Sequence, residues 1–204
     1  MKKGIICTSD TASKIEEMKP SMSKTIAIGV QDFGKIIENN SFYVDKSNFI
    51  KEWWENRDDV TLITRPRRFG KTLTMSMVDY FFSIRHAGRS DLFENLNIWK
   101  EKKYREMQGT YTVIFLSFAD VKGNNFEEVY SDICRLIARE YRRHVSLIKS
   151  DCFLQVDRDQ FYKIMTKDVS VGDICSSLNQ LSEYLYTYYG KKIIILSEDL
   201  FFSS

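Results

Sequence analysis

Arg65-Pro66-Arg67-Arg68-Phe69-Gly70-Lys71-Thr72 is the stretch that decides how this chain folds. Set against the phosphate-binding pattern G-x-x-x-x-G-K-[ST], its Gly, Lys and Thr stand in place and Arg65 takes the position of the opening Gly. The flanking residues supply the context that such a loop needs. Val60-Thr61-Leu62-Ile63-Thr64 is a β-branched apolar run that predicts a strand, and Leu73 to Ser83 predicts a helix. In that order of strand, loop and helix, the first N–H groups of the helix face phosphate oxygens, a lysine ammonium reaches the terminal phosphates and a threonine hydroxyl can ligate Mg²⁺. Lys71 and Thr72 would fill those two roles. The residue types also admit a plainer reading, in which the arginines form a solvated basic loop or face the backbone phosphates of a nucleic acid.

Three further words lie along the chain in order: Ile28-Gly29-Val30-Gln31-Asp32-Phe33, Phe42-Tyr43-Val44-Asp45-Lys46-Ser47, and Tyr188-Tyr189-Gly190-Lys191-Lys192-Ile193-Ile194-Ile195-Leu196. Together with the loop they resemble the bacterial AAA-ATPase-like family. Its members typically carry an I-G-x-x-D-F opening, a Y-V-D-K-[ST] segment and this Arg-rich loop, the Arg for Gly replacement being itself a family trait. The resemblance covers residues 26 to 197 and implies an α/β fold, a P-loop NTPase-like three-layer sandwich with a mainly parallel sheet. It implies ATP and Mg²⁺ as ligands, with Arg65, Pro66, Arg67, Arg68, Phe69, Gly70, Lys71 and Thr72 around the nucleotide and Thr72 on the metal. Many relatives add a nuclease-like C-terminal domain, so nucleic acid is a further partner that the resemblance suggests, through a domain missing from this chain.

The end of the chain departs from the family. P-loop ATPases end a buried strand in an Asp that holds Mg²⁺, often followed by a Glu that orients the attacking water. The family's version reads approximately L-I-D-E-Y-D, whereas this chain reads Leu196-Ser197-Glu198-Asp199-Leu200. Glu198 then stands in the metal position and Asp199 in the catalytic one, with side chains one methylene longer and one shorter than the family's. The competing reading makes residues 198–204 a divergent tail, from truncation or frameshift, with both acids merely solvated. Under either reading the sheet is expected to be incomplete, the loop strand to lack a neighbour, and hydrolysis to be slow or absent. A non-catalytic remnant, with no ligand or acting only by binding partners, is the remaining alternative.

Composition sets wide bounds. At 204 residues the chain is long enough for a sizeable core, and a net charge of +2 does not by itself argue for nucleic acid. Basic residues are instead local, at Arg65 to Lys71 and at Arg139, Arg142 and Arg143. Cys7, Cys134, Cys152 and Cys175 form no C-x-x-C pair, so they are expected to be reduced thiols, several of them buried. His86 and His144 are isolated and expected in surface or satisfied core positions. No signal peptide and no membrane-length apolar run is visible, which makes the cytoplasm the default.

Residues 1–25 are polar and aperiodic and read as a flexible extension before the domain at 26–197. Beyond the loop, Phe42 to Val44 predicts a short strand and Phe49 to Trp54 a helical turn or two. Thr112 to Phe118 and Ile193 to Leu196 predict strands buried on both faces of a parallel sheet. A helix capped by Asn124 or Asn125 carries Phe126, Val129, Tyr130, Ile133, Ile137 and Tyr141 at helical spacing. Asp159 to Thr166 and Val171 to Tyr189 predict two more helices, the second ended by Gly190.

Overall fold

The computed structural model describes residues 24–57, 60–63 and 69–198. Two strands, β1 (Thr112–Ser117) and β2 (Ile193–Glu198), pair in parallel, with Thr112 opposite Ile193 and Ser117 opposite Glu198. Alternation along the strands divides their side chains between two apolar clusters. Val113, Ile194 and Leu196 join one, while Ile114, Leu116 and Ile193 join the other.

The first cluster is closed by α1 (Phe33–Glu38), α2 (Asn48–Asn56), α3 (Lys71–Phe82), α4 (Lys102–Met107) and 3-10 turns between α3 and α4. Its centre is aromatic. Phe33 stacks on Phe93 with ring centroids 5.1 Å apart, and Phe82 meets Trp54 at 5.4 Å. The second cluster is closed by α5 (Phe126–Arg143), α6 (Gln155–Thr166) and α7 (Val171–Tyr189), with Tyr141, Phe161, Leu181 and Leu185 fully buried or nearly so. Burying an aliphatic or aromatic side chain contributes about 1.5–3 kcal/mol, so these two clusters carry most of the stability.

Helix ends follow local chemistry. The Asn125 carboxamide accepts from the Glu128 N–H at 2.9 Å and caps α5. Ser170 and Asp173 satisfy each other's backbone N–H groups at the start of α7, and Gly190 ends that helix at φ +64°. In this left-handed conformation, which glycine adopts without strain, the Gly190 N–H donates to the Tyr186 carbonyl at 2.8 Å and satisfies one of the last carbonyls of the helix.

Several segments differ from their sequence-based expectation. Residues 60–63 form no strand, and Val60 and Leu62 are 88% and 74% exposed. Phe42 to Val44 is also no strand; the Phe42 N–H donates to the Thr25 carbonyl at 2.9 Å, and Phe42 and Val44 remain exposed. Both runs have strand-forming residues, but among the described residues neither lies in a ladder with a neighbouring strand, and strand propensity has little force without a partner surface. Helix α2 is longer than expected and α6 begins four residues earlier than Asp159. β2 continues through Glu198, two residues beyond the apolar run. Of the described cysteines only Cys134 is buried, while Cys152 and Cys175 are exposed. No helix among the described residues is long and apolar enough to cross a membrane.

Candidate functional site

Helix α3 runs back along the sheet. Past its C-terminus, Ser83 bridges to Tyr111 and the Ile84 N–H donates to the Tyr111 carbonyl at 2.7 Å, at the start of β1. Its first turn therefore lies at the opposite end, where β1 and β2 finish. There the Thr72 hydroxyl donates to Oε1 of Glu198, and the Ser117 hydroxyl donates to Oε2 at 2.5 Å. One carboxylate thus joins the helix to both strand ends. In parallel α/β sheets, the crevice outside the carboxyl ends of the strands is where ligands bind.

The turn into α3 is built around Gly70, at φ +75°. Its carbonyl accepts from both the N–H and the hydroxyl of Thr74, each at 2.9 Å, which locks the first helical turn. A Cβ on Gly70 would stand 3.0 Å from the Lys46 Nζ, so both the backbone angle and that close approach favour glycine. Lys46 in turn donates to the Phe69 carbonyl at 3.2 Å.

Lys46 has a rigid mount. The Asp45 carboxylate accepts from the N–H groups of Ser47 and Asn97, both at 2.8 Å. The buried Ser47 hydroxyl accepts from the Ile98 N–H at 3.1 Å. Three residues before Lys46, the Tyr43 hydroxyl reaches the Met77 sulfur of α3 at 3.2 Å, and burial pushes its pKa up to about 12. The segment Tyr43 to Ser47 is therefore a clamp between α3 and the turn at residues 97–98. Asp32 and Phe33 act similarly at the other side of α3. Asp32 caps α1 through the Lys35 N–H at 2.8 Å and accepts from the Tyr80 hydroxyl at 3.3 Å, while the Phe33 N–H donates to the Ser76 hydroxyl at 3.0 Å.

Of the residues expected to form the site, Gly70, Lys71, Thr72 and Glu198 converge at the carboxyl end of the sheet, and Phe69 is an exposed neighbour. Arg65, Pro66, Arg67, Arg68 and Asp199 lie outside the described residues. Ser117 and Lys46 were not anticipated. The signal for Ser117 was its place at the end of a buried strand; Lys46 was visible within the Y-V-D-K-S word, without a role.

The donor set at the sheet end is all oxygen: the Thr72 and Ser117 hydroxyls and the Glu198 carboxylate. Hard cations such as Mg²⁺ take such ligands, and Mg²⁺ is commonly held by one or two carboxylates together with substrate phosphates. Among the described residues no group of three or more His, Cys, Asp or Glu side chains could hold a metal by itself.

The basic cluster of α5 is divided, with Arg139 and Arg142 on one cavity and Arg143 on Glu140. This cavity of about 340 Å³ opens beside Ser117, lined by the charged Asp120, Asp132, Arg135, Arg139 and Arg142 together with Val121 and Leu136. Asp132 pairs with Arg135, and Arg142 donates to the Met165 carbonyl at 2.9 Å. Arg143 faces the buried Glu140 at 2.6 Å, with His144 Nε2 at 3.4 Å from the same carboxylate. His86 stacks on Tyr80 at a centroid distance of 4.0 Å and meets Asp79 at 3.4 Å.

Comparison with known proteins adds to this geometry. A family model described as "Predicted AAA-ATPase" matches residues 27–199. A protein of Azotobacter chroococcum mcd 1 described as "Uncharacterized protein in vnfD 5'region" is 38% identical over 76 residues. That match takes in 37% of this chain and spans only 14% of the relative's own length. No solved structure matches.

Proposed function

The chain belongs to the predicted AAA-ATPase family, and on that premise we propose that it is an ATP-binding module whose nucleotide phosphates sit at the N-terminus of α3. The observation that carries this reading is the contact between Thr72 and Glu198, residues 126 positions apart in sequence that meet where the strands end. A hydroxyl after G-K and an acid ending a neighbouring strand are the two protein ligands that a P-loop NTPase offers to Mg²⁺. We read the two clusters around the parallel sheet as part of the three-layer P-loop arrangement.

In this reading the Lys71 ammonium neutralises the terminal phosphates, and the first-turn N–H groups of α3 donate to their oxygens at the favourable end of the helix dipole. Arg65, Arg67 and Arg68, by their places in the motif, would add positive charge for the same phosphates. Ser117 fixes the second oxygen of Glu198, so that the carboxylate keeps one orientation toward the metal. Bound Mg²⁺ would supply charge neutralisation across the outer phosphates. Asp199 takes the place of the residue that orients water. Its shorter side chain, and a Glu in place of Asp before it, predict slow hydrolysis, because phosphoryl transfer depends on positioning to within about 1 Å.

Calorimetric titration of the chain with Mg·ATP, beside Lys71→Ala, tests the proposal. Saturable binding by the wild type that the substitution abolishes is the expected result. Equal affinity in the two proteins would place any nucleotide elsewhere.

A further inference from the structure

Lys46 lies outside the phosphate-binding motif, yet its ammonium stands against the loop. It donates to the Phe69 carbonyl at 3.2 Å and would lie 3.0 Å from a Cβ on Gly70. Among the described residues no carboxylate pairs with it, although Asp45 is its neighbour in sequence: that carboxylate is turned away to the Ser47 and Asn97 N–H groups. Lys46 is half-buried as a residue, and an ammonium that donates to a single carbonyl retains donors for another acceptor, since Lys carries three. Its backbone is held on both sides, by Asp45 and by the buried Ser47, so the charge is positioned before any ligand arrives.

We propose that Lys46 is a second phosphate-binding cation of the nucleotide site, delivered from the loop before α2 and acting beside Lys71. This rests on the ATP-binding reading above and extends it to a residue outside the motif. Gly70 then has two functions: it turns the chain into α3, and it leaves the space through which the Lys46 ammonium reaches the phosphates. The same placement explains why the Tyr43 to Ser47 clamp binds two separate parts of the fold, since a long lysine side chain delivers charge to a fixed point only if its backbone is anchored.

The test compares Lys46→Met, which keeps most of the aliphatic stem, and Lys46→Gln, which keeps an N–H donor for the Phe69 carbonyl without the charge. Each is titrated with AMP, ADP and ATP in Mg²⁺ beside wild type and Lys71→Ala, and melted without nucleotide to confirm folding. Loss of one charge-assisted contact predicts about tenfold weaker ATP binding in both variants. The loss should be smaller for ADP and nearly absent for AMP. A lysine that only braces the loop would give equal losses for all three nucleotides, or wild-type affinity in Lys46→Gln; either result overturns the inference. Wild-type affinity in both Lys46 variants, with Lys71→Ala inactive, overturns it while leaving the ATP-binding reading intact. Absence of nucleotide binding by the wild type removes both.

Discussion

β1 and β2 have nearly interchangeable sequences, Thr112-Val113-Ile114-Phe115-Leu116-Ser117 and Ile193-Ile194-Ile195-Leu196-Ser197-Glu198, but they occupy different surroundings. In β1, Val113, Ile114 and Leu116 are at most 1% exposed. In β2 only Ile194 is buried among the apolar residues, and Ile195 is 50% exposed. The helices α5 to α7 cover β1 closely and leave the middle of β2 open on the same face. Residues 60–63 extend the trend, as an equally strand-like run with no strand and with Val60 and Leu62 largely in solvent. The stable half of the molecule lies around β1; the site lies where the packing thins out, next to the loop.

Substitutions on the two sides should therefore have unequal effects. Leu116→Ala removes a buried β1 side chain and should lower stability by about 3 kcal/mol in chemical denaturation. A loss below about 1 kcal/mol would mean that the α5 side of the sheet is not the closed half.

Glu140 on α5 tests the same half by charge. Burial alone would push its pKa up, but the His144 hydrogen bond and the Arg143 charge outweigh that and hold it below the usual carboxylate range. A carboxyl lowered on folding contributes stability above its unfolded pKa and loses it as pH falls through the folded value. Glu140→Gln should therefore cost about 2 kcal/mol near neutral pH. The gap between the two proteins should close as pH drops below the carboxylate range. A gap that widens in acid would reverse the sign of this account.

On the open side, Ile195→Ala should cost only about 1 kcal/mol, and Leu62→Ser about 0.5 kcal/mol or less. A loss from Leu62→Ser comparable to that from Leu116→Ala would show that residues 60–63 are packed against something in solution.

The same contrast explains what could be read in the sequence. Helix α7, its Ser170 and Gly190 ends and the Asn125 cap were legible because caps and helical spacing are local properties. The strands β1 and β2 were legible as apolar runs, but β2 is not buried on both faces as the run predicts, because no helix among the described residues covers Ile195. Residues 42–44 and 60–63 were misread because the same propensity yields a strand only beside a partner, and pairing depends on distant chain. At the site, Lys71 and Thr72 were named by their motif, and Glu198 by its place after an apolar strand. That Glu198 meets Thr72 and Ser117 follows from the parallel register, which no local pattern encodes. Lys46 stayed hidden for a related reason: its contact with Phe69 spans 23 residues and depends on the Asp45 and Ser47 anchors.

The central claim is that Thr72 and Glu198 belong to one Mg·nucleotide site, and a double-mutant cycle on Mg·ATP affinity tests it most directly. Thr72→Val, Glu198→Gln and the double variant would be titrated beside wild type. If the two side chains hold one metal, each single variant should lose about tenfold and the double variant little more, a coupling of about 1 kcal/mol or greater. Additive losses, or unchanged affinity in Glu198→Gln, would contradict the account and leave the contact between them a feature of folding alone.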